Sequence, residues 1–157
     1  MSDRCDVKET LLHASSVVMG GYAVLIRGKP GLGKSDLALR LRDRGATLLA
    51  DDQTRLLETD QGIVAAVPDT IAGLIEVRGL GVVPVSACSR PKAEIPVALI
   101  VELVEDPKDI DRLPEDTVCT VCGTELPFVK VYGYAASAPI VVEMALEVAL
   151  GLREVTR

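Results

Sequence analysis

Aromatic side chains are scarce in this 157-residue chain, which has no Trp, one Phe and three Tyr. A core must therefore be built from Val, Leu, Ile and Ala, and an aromatic platform for single-stranded nucleic acid is not expected. Cysteine is also sparse. Cys5, Cys88, Cys119 and Cys122 are too irregularly spaced for a disulfide scaffold, so a cytoplasmic protein with reduced thiols is the expectation. Long apolar runs are missing as well. The longest uncharged stretch, Thr10 to Ile26, is interrupted by His13, two Ser and Gly20-Gly21, and it reads as two strands rather than a membrane span. No signal peptide is visible, because Met1 to Glu9 is polar. Basic residues are outnumbered by acidic ones and the net charge is −6, which argues against nucleic acid and membrane surfaces as partners but leaves room for a local cationic pocket. What remains, 48% hydrophobic and 25% charged, is the composition of one soluble globular domain over residues 1–157.

Residues 9–18 and 22–27 are rich in aliphatic and β-branched types and flank Met19-Gly20-Gly21-Tyr22, a two-residue hairpin turn. A glycine-bearing loop follows, then a helical pattern over Asp36–Arg44 with Gly45 as its stop. Residues 46–50 form a short buried strand ending in Asp51-Asp52. Further short apolar runs occur at 53–58, 62–67, 74–77, 82–85, 96–104, 117–121 and 127–132, with Asp60-Gln61-Gly62 as a turn between two of them. Ser137-Ala138-Pro139 opens a closing helix over Ala138–Leu152. Many strands, few helices and short connections specify an α/β fold with a mixed sheet, not an all-parallel one.

Gly28-Lys29-Pro30-Gly31-Leu32-Gly33-Lys34-Ser35 matches the phosphate-loop pattern G-x-x-x-x-G-K-[ST] in full, between a strand and a helix as that pattern requires. Glycines let backbone N–H groups converge on phosphate oxygens, Lys34 reaches the outer phosphates, Ser35 offers a hydroxyl to Mg²⁺, and the helix N-terminus adds positive potential. Other residues gather around this motif. With Gly20-Gly21 as the turn centre, His13, the sole histidine, falls opposite Gly28. It would there touch a phosphate or assist proton transfer, unless it is an edge-strand histidine. Asp51-Asp52 end the strand after the loop's helix, where such proteins hold Mg²⁺ or orient a nucleophile. Adjacent residues on an extended chain face opposite sides, so the two aspartates are assigned different tasks. Glu76 and Arg78 share a strand face among aliphatics, which predicts burial and partners of opposite charge. Nothing in the local pattern singles out Arg112. Cys119-x-x-Cys122 has the spacing of half a metal site or a redox pair, but no second such motif exists, and two reduced cysteines beside a strand are favoured.

His13, Gly28 to Ser35, Leu49-Ala50-Asp51-Asp52 and Ile75-Glu76-Val77-Arg78-Gly79-Leu80-Gly81, in this order, resemble the catalytic domain of bacterial HPr kinase/phosphorylase over about residues 8–112. The resemblance implies a fold similar to that of phosphoenolpyruvate carboxykinase around its P-loop. It also implies an ATP- and Mg²⁺-dependent kinase that acts on a serine of the phosphocarrier HPr or a paralogue. Carried over by motif, the family's active-site histidine matches His13 and its P-loop lysine matches Lys34. Its magnesium ligands match Ser35 and Glu76. Its aspartate pair, containing the residue that takes the proton from the acceptor serine, matches Asp51-Asp52, with Asp52 favoured for that role. Its catalytic arginine matches Arg112. The family further implies a hexamer.

Three departures from the family stand out. The usual N-terminal domain has no counterpart before His13, which implies a shortened form. The glycine-alanine loop after the signature is replaced by residues 86–93. The late Gly-Arg-Asn segment, tied in the family to dephosphorylation, is here Pro127 to Ser137 with Tyr132-Gly-Tyr-Ala135 and no arginine, so phosphorylase activity is expected to be reduced or lost. Two rival functions fit the phosphate loop: a small-molecule phosphotransferase, and a nucleotide-sensing module without turnover.

Overall fold

The computed structural model describes residues 8–66, 73–85 and 94–156. Its strands are β1 (Glu9–Leu12), β2 (Ser15–Met19), β3 (Tyr22–Arg27), β4 (Thr47–Ala50), β5 (Thr54–Thr59), β6 (Gly62–Ala66), β7 (Leu74–Val77), β8 (Gly81–Pro84), β9 (Glu94–Leu103), β10 (Val118–Val121) and β11 (Thr124–Val131). The helices are α1 (Lys34–Asp43) and α2 (Ala138–Ala149), with a single 3₁₀ turn at Pro107–Asp109. This is the mixed α/β architecture the sequence called for.

The β2–β3 hairpin keeps the expected register: Ser15 pairs with Ile26, and Met19 with Tyr22. Gly20 and Gly21 have φ of 59° and 84°, the left-handed values a two-residue turn needs. The first apolar segment nevertheless splits at His13-Ala14. β2 stays on β3, whereas β1 leaves to pair antiparallel with β5. Three strands thus occupy a stretch that reads as two, because a change of partner has no hydropathy signal of its own.

The main sheet has nine strands, with β9 as its hub. β9 pairs antiparallel with β6 near its start, and parallel with β3 and β11 further along. Alternation along β3 sends Val24 and Ile26 into a core with Leu37 and Leu41 of α1 and Val142 and Leu146 of α2. Ala23 and Leu25 enter a second core with Leu49, Leu56 and Ile100. Burial on both faces explains why β3 is an unbroken apolar run. Each such leucine or isoleucine contributes about 1.5–3 kcal/mol by leaving water. The phosphate loop therefore grows from a strand anchored on both of its faces.

Both helices end alike. In α1 the Gly45 N–H bonds the Arg42 carbonyl and the Ala46 N–H bonds that of Leu41. In α2 the Gly151 and Leu152 N–H groups reach Val148 and Glu147 in the same pattern. α2 therefore stops at Ala149, three residues short of the sequence expectation.

Candidate active site

At the end of β3 the chain enters the loop Gly28–Gly33, and α1 begins at Lys34. Gly33 caps the helix with φ 92° and has no side chain to bond the first-turn N–H groups, so these donors stay available at the helix start. Lys34 is only 8% exposed, and its Nζ donates to the carbonyls of Gly28 (2.9 Å) and Lys29 (3.3 Å). The ammonium is thereby pinned beneath the loop. A cleft of about 530 Å³ opens above it, lined by His13, Gly31, Gly33, Lys34, Ser35, Asp52, Glu76, Arg78 and Tyr134 among others.

β4 delivers the two aspartates to different surroundings. Asp51, 8% exposed, accepts three hydrogen bonds. Ser15 Oγ (2.8 Å) and Ser35 Oγ (2.7 Å) donate to its Oδ1, and the Glu76 backbone N–H donates to its Oδ2 at 3.1 Å. It thus ties β2, α1 and β7 together behind the cleft wall. Asp52 turns outward with φ 68°, a left-handed conformation that aspartate tolerates better than most residues. Its carboxylate meets His13 Nε2 at 2.9 Å, and both side chains are more than half exposed. The two aspartates do face different surroundings, and the separation comes from this turn and not from an extended strand.

His13 itself lies in the bend between β1 and β2, beyond the ladder that ends at Ser15. It lines the cleft beside Asp52. Glu76 and Arg78 line the cleft, but both are exposed, contrary to the burial predicted for them. Burial belongs to their neighbour Ile75, which enters the core beside Leu37 and fixes β7 against it. Gly79 and Gly81 (φ 92° and 107°) make a tight turn closed by the Leu80 N–H on the Val77 carbonyl.

Arg112 does not line this cleft. The chain after β9 passes through the Pro107–Asp109 turn and carries Arg112 to another groove, of about 740 Å³, beside β11 and α2. Cys119 lies on β10 and Cys122 in the β10–β11 turn with φ 49°. Both are free thiols. Burial pushes the Cys119 thiol above its ordinary value, with Arg27 pulling the other way. Among the described residues no group of three or more His, Cys, Asp or Glu has metal-site geometry. Residues 86–93 lie outside the described residues.

Four contributors escaped the sequence reading: Ser15, Ser16, Thr54 and Tyr134. Ser15 Oγ, besides donating to Asp51, accepts the Asp52 N–H at 3.2 Å and so links the two aspartates. Thr54 donates to the Ala14 carbonyl (2.9 Å), leaving Ser16 to donate to Thr54 at 2.9 Å. Ser15-Ser16 inside an apolar run was the available signal, since buried hydroxyls require partners. Tyr134 stands in the sequence only within the Tyr132-Gly-Tyr-Ala135 departure from the family, with no role assigned to it there.

Fold and cleft together define a P-loop domain in which the phosphate loop, the Asp52 carboxylate and an imidazole line one cleft. Residues 7–151 match the family described as the HPr Serine kinase C-terminal domain, and the chain belongs to that family. HPr kinase/phosphorylase of Bacillus velezensis is 38% identical over 124 residues, covering 74% of this chain and 40% of that protein. The Bacillus subtilis enzyme is 37% identical with the same coverage. The chain therefore spans about 40% of the length of the curated relatives it matches. The solved Hpr(Ser) kinase/phosphatase from Coxiella burnetii shares the fold, with a TM-score of 0.74, 24% identity and 88% of each chain covered.

Proposed function

We propose that this domain is an ATP- and Mg²⁺-dependent protein serine kinase whose acceptor is an HPr-type phosphocarrier in the cytoplasm, with phosphorylase activity weak or lost. The observation that carries the reading is the His13–Asp52 pair lining the same cleft as Lys34 and Ser35. Family membership supplies the substrate class. The lack of arginine between Pro127 and Ser137 supports the loss of phosphorylase activity.

The donor set suits Mg²⁺. Ser35 gives its hydroxyl hydrogen to Asp51, which leaves oxygen lone pairs for a cation, and Glu76 lines the same cleft with a second hard oxygen donor. Bound there, Mg²⁺ would neutralise charge on the phosphate oxygens. Lys34 and the loop N–H groups hold the outer phosphates of ATP in this reading. His13, with hydrogen on Nε2, donates to Asp52 Oδ1 and fixes the carboxylate. Asp52 Oδ2 then takes the proton of the incoming serine hydroxyl. Asp51 does not serve as base, because three donors occupy it behind the wall. Arg112 has no part in this mechanism, since it lines the other groove.

Incubating the full chain with HPr, Mg²⁺ and ATP labelled at the γ-phosphate tests the proposal. Label on a serine of HPr is expected. A folded protein that transfers none overturns the substrate assignment, and transfer to a metabolite instead would select the small-molecule phosphotransferase.

A further inference from the structure

The segment after β11 is built onto the phosphate loop at two points and onto α1 at a third. Gly133 is buried, and a Cβ there would fall 2.7 Å from the Leu32 carbonyl oxygen, so only glycine lets the two backbones approach this closely. Arg40 of α1 donates from Nη2 to the Gly133 carbonyl and from Nη1 to that of Ala135 at 3.1 Å. Tyr134 then extends over the loop: its hydroxyl donates to the Gly31 carbonyl, and its ring edge lies 3.2 Å from where a Gly33 Cβ would sit. Tyr132 supports it edge to face, with ring centroids 5.9 Å apart.

The Gly31 carbonyl and the Leu32 N–H belong to one planar peptide unit. Tyr134 holds its oxygen, and the N–H is turned to the Lys29 carbonyl at 3.4 Å. That peptide is thus tethered at both ends, immediately before the Gly33 cap and the free donors of the first turn of α1. We infer that Tyr134 is a positioning residue that latches the phosphate loop in its binding conformation before any polyphosphate arrives. A ligand then need not order the loop itself, which is where pre-organised sites gain affinity. The inference rests on the cleft being the nucleotide site and adds to that reading a residue from outside the phosphate-loop motif.

The test is Tyr134→Phe in the full chain, which keeps the ring and removes only the hydroxyl. Calorimetric Kd values for Mg-ATP and for magnesium pyrophosphate are both expected to rise about three- to tenfold, the range one net hydrogen bond produces, with kcat changed less than about twofold. Amide exchange at residues 31–35 of the ligand-free protein is expected to quicken while the thermal midpoint holds. Tyr134→Ala should exaggerate every effect. Weakened ATP binding with unchanged pyrophosphate binding would mean that the ring stacks on the base, and would overturn the latch. So would unchanged exchange together with unchanged Kd, or a fall in kcat at constant Kd. The exchange arm needs no nucleotide. Wild-type protein that binds neither ligand would therefore defeat the nucleotide-site reading, while the exchange result still decides whether the latch exists.

Discussion

Asp51 and Asp52 are adjacent, yet substituting each by Asn has opposite consequences. In the proposed mechanism Asp52→Asn removes the acceptor for the serine proton, and it leaves the wall intact. Its kcat for HPr should fall about 10²- to 10⁴-fold, with ATP affinity within about threefold, measured by single-turnover transfer and calorimetry. Asp51→Asn puts an NH₂ group where only donors converge, from Ser15, Ser35 and the Glu76 backbone. A loss of about 2–4 kcal/mol in urea unfolding is expected, because a buried donor then faces another donor. Cys119 gives a pH signature. Its thiol is raised by burial in the folded protein, so the native state retains a proton that the unfolded chain releases sooner. Stability from this group is complete below the ordinary thiol value and is lost as pH climbs from there through the raised value of the folded state. Unfolding titrations should show this alkaline loss in the wild type and a smaller one in Cys119→Ser.

Among the secondary-structure elements, the site depends on what the elements do at their ends. β3 ends in the phosphate loop, β4 in the aspartate pair, β7 in Glu76 and Arg78, and β11 in the segment that carries Tyr134. Gly133→Ala tests the last of these joints. The new methyl would force the β11–α2 connection off Leu32, at a cost of about 1–3 kcal/mol in chemical denaturation. ATP affinity should weaken as well, because the displaced connection bears the tyrosine that touches Gly31. A conventional turn glycine such as Gly151, with open space around it, would show the stability loss alone.

For the molecule as a whole, the proposed function asks an acidic chain of net charge −6 to bind a polyanion through a local cationic site. Binding should therefore be coupled strongly to folding and to the cation. At about 100 times Kd, Mg-ATP is expected to add about 2.7 kcal/mol of stability, or about 5–10 °C in thermal midpoint for a domain of this size. Chelating Mg²⁺ with EDTA should remove most of that shift and abolish transfer. A shift that survives chelation would show that the oxygen donors of Ser35 and Glu76 hold no cation in the bound state.

Some of this was already decided by local chemistry. Two glycines in succession fixed the turn and hence the β2–β3 register, since only left-handed φ closes so short a hairpin. The spacing of glycines and lysine fixed the phosphate loop, and the doubly buried run of β3 fixed its anchorage. Contacts between segments distant in sequence decided the rest. Whether β1 follows β2 or leaves for β5, whether Glu76 or Ile75 is buried, where Arg112 comes to lie and that Tyr134 touches Gly31 all depend on packing across the sheet and helices. Hydropathy and spacing report a residue's own preferences, whereas a partner a hundred positions away is chosen only when the backbone closes and buried polar groups must find each other.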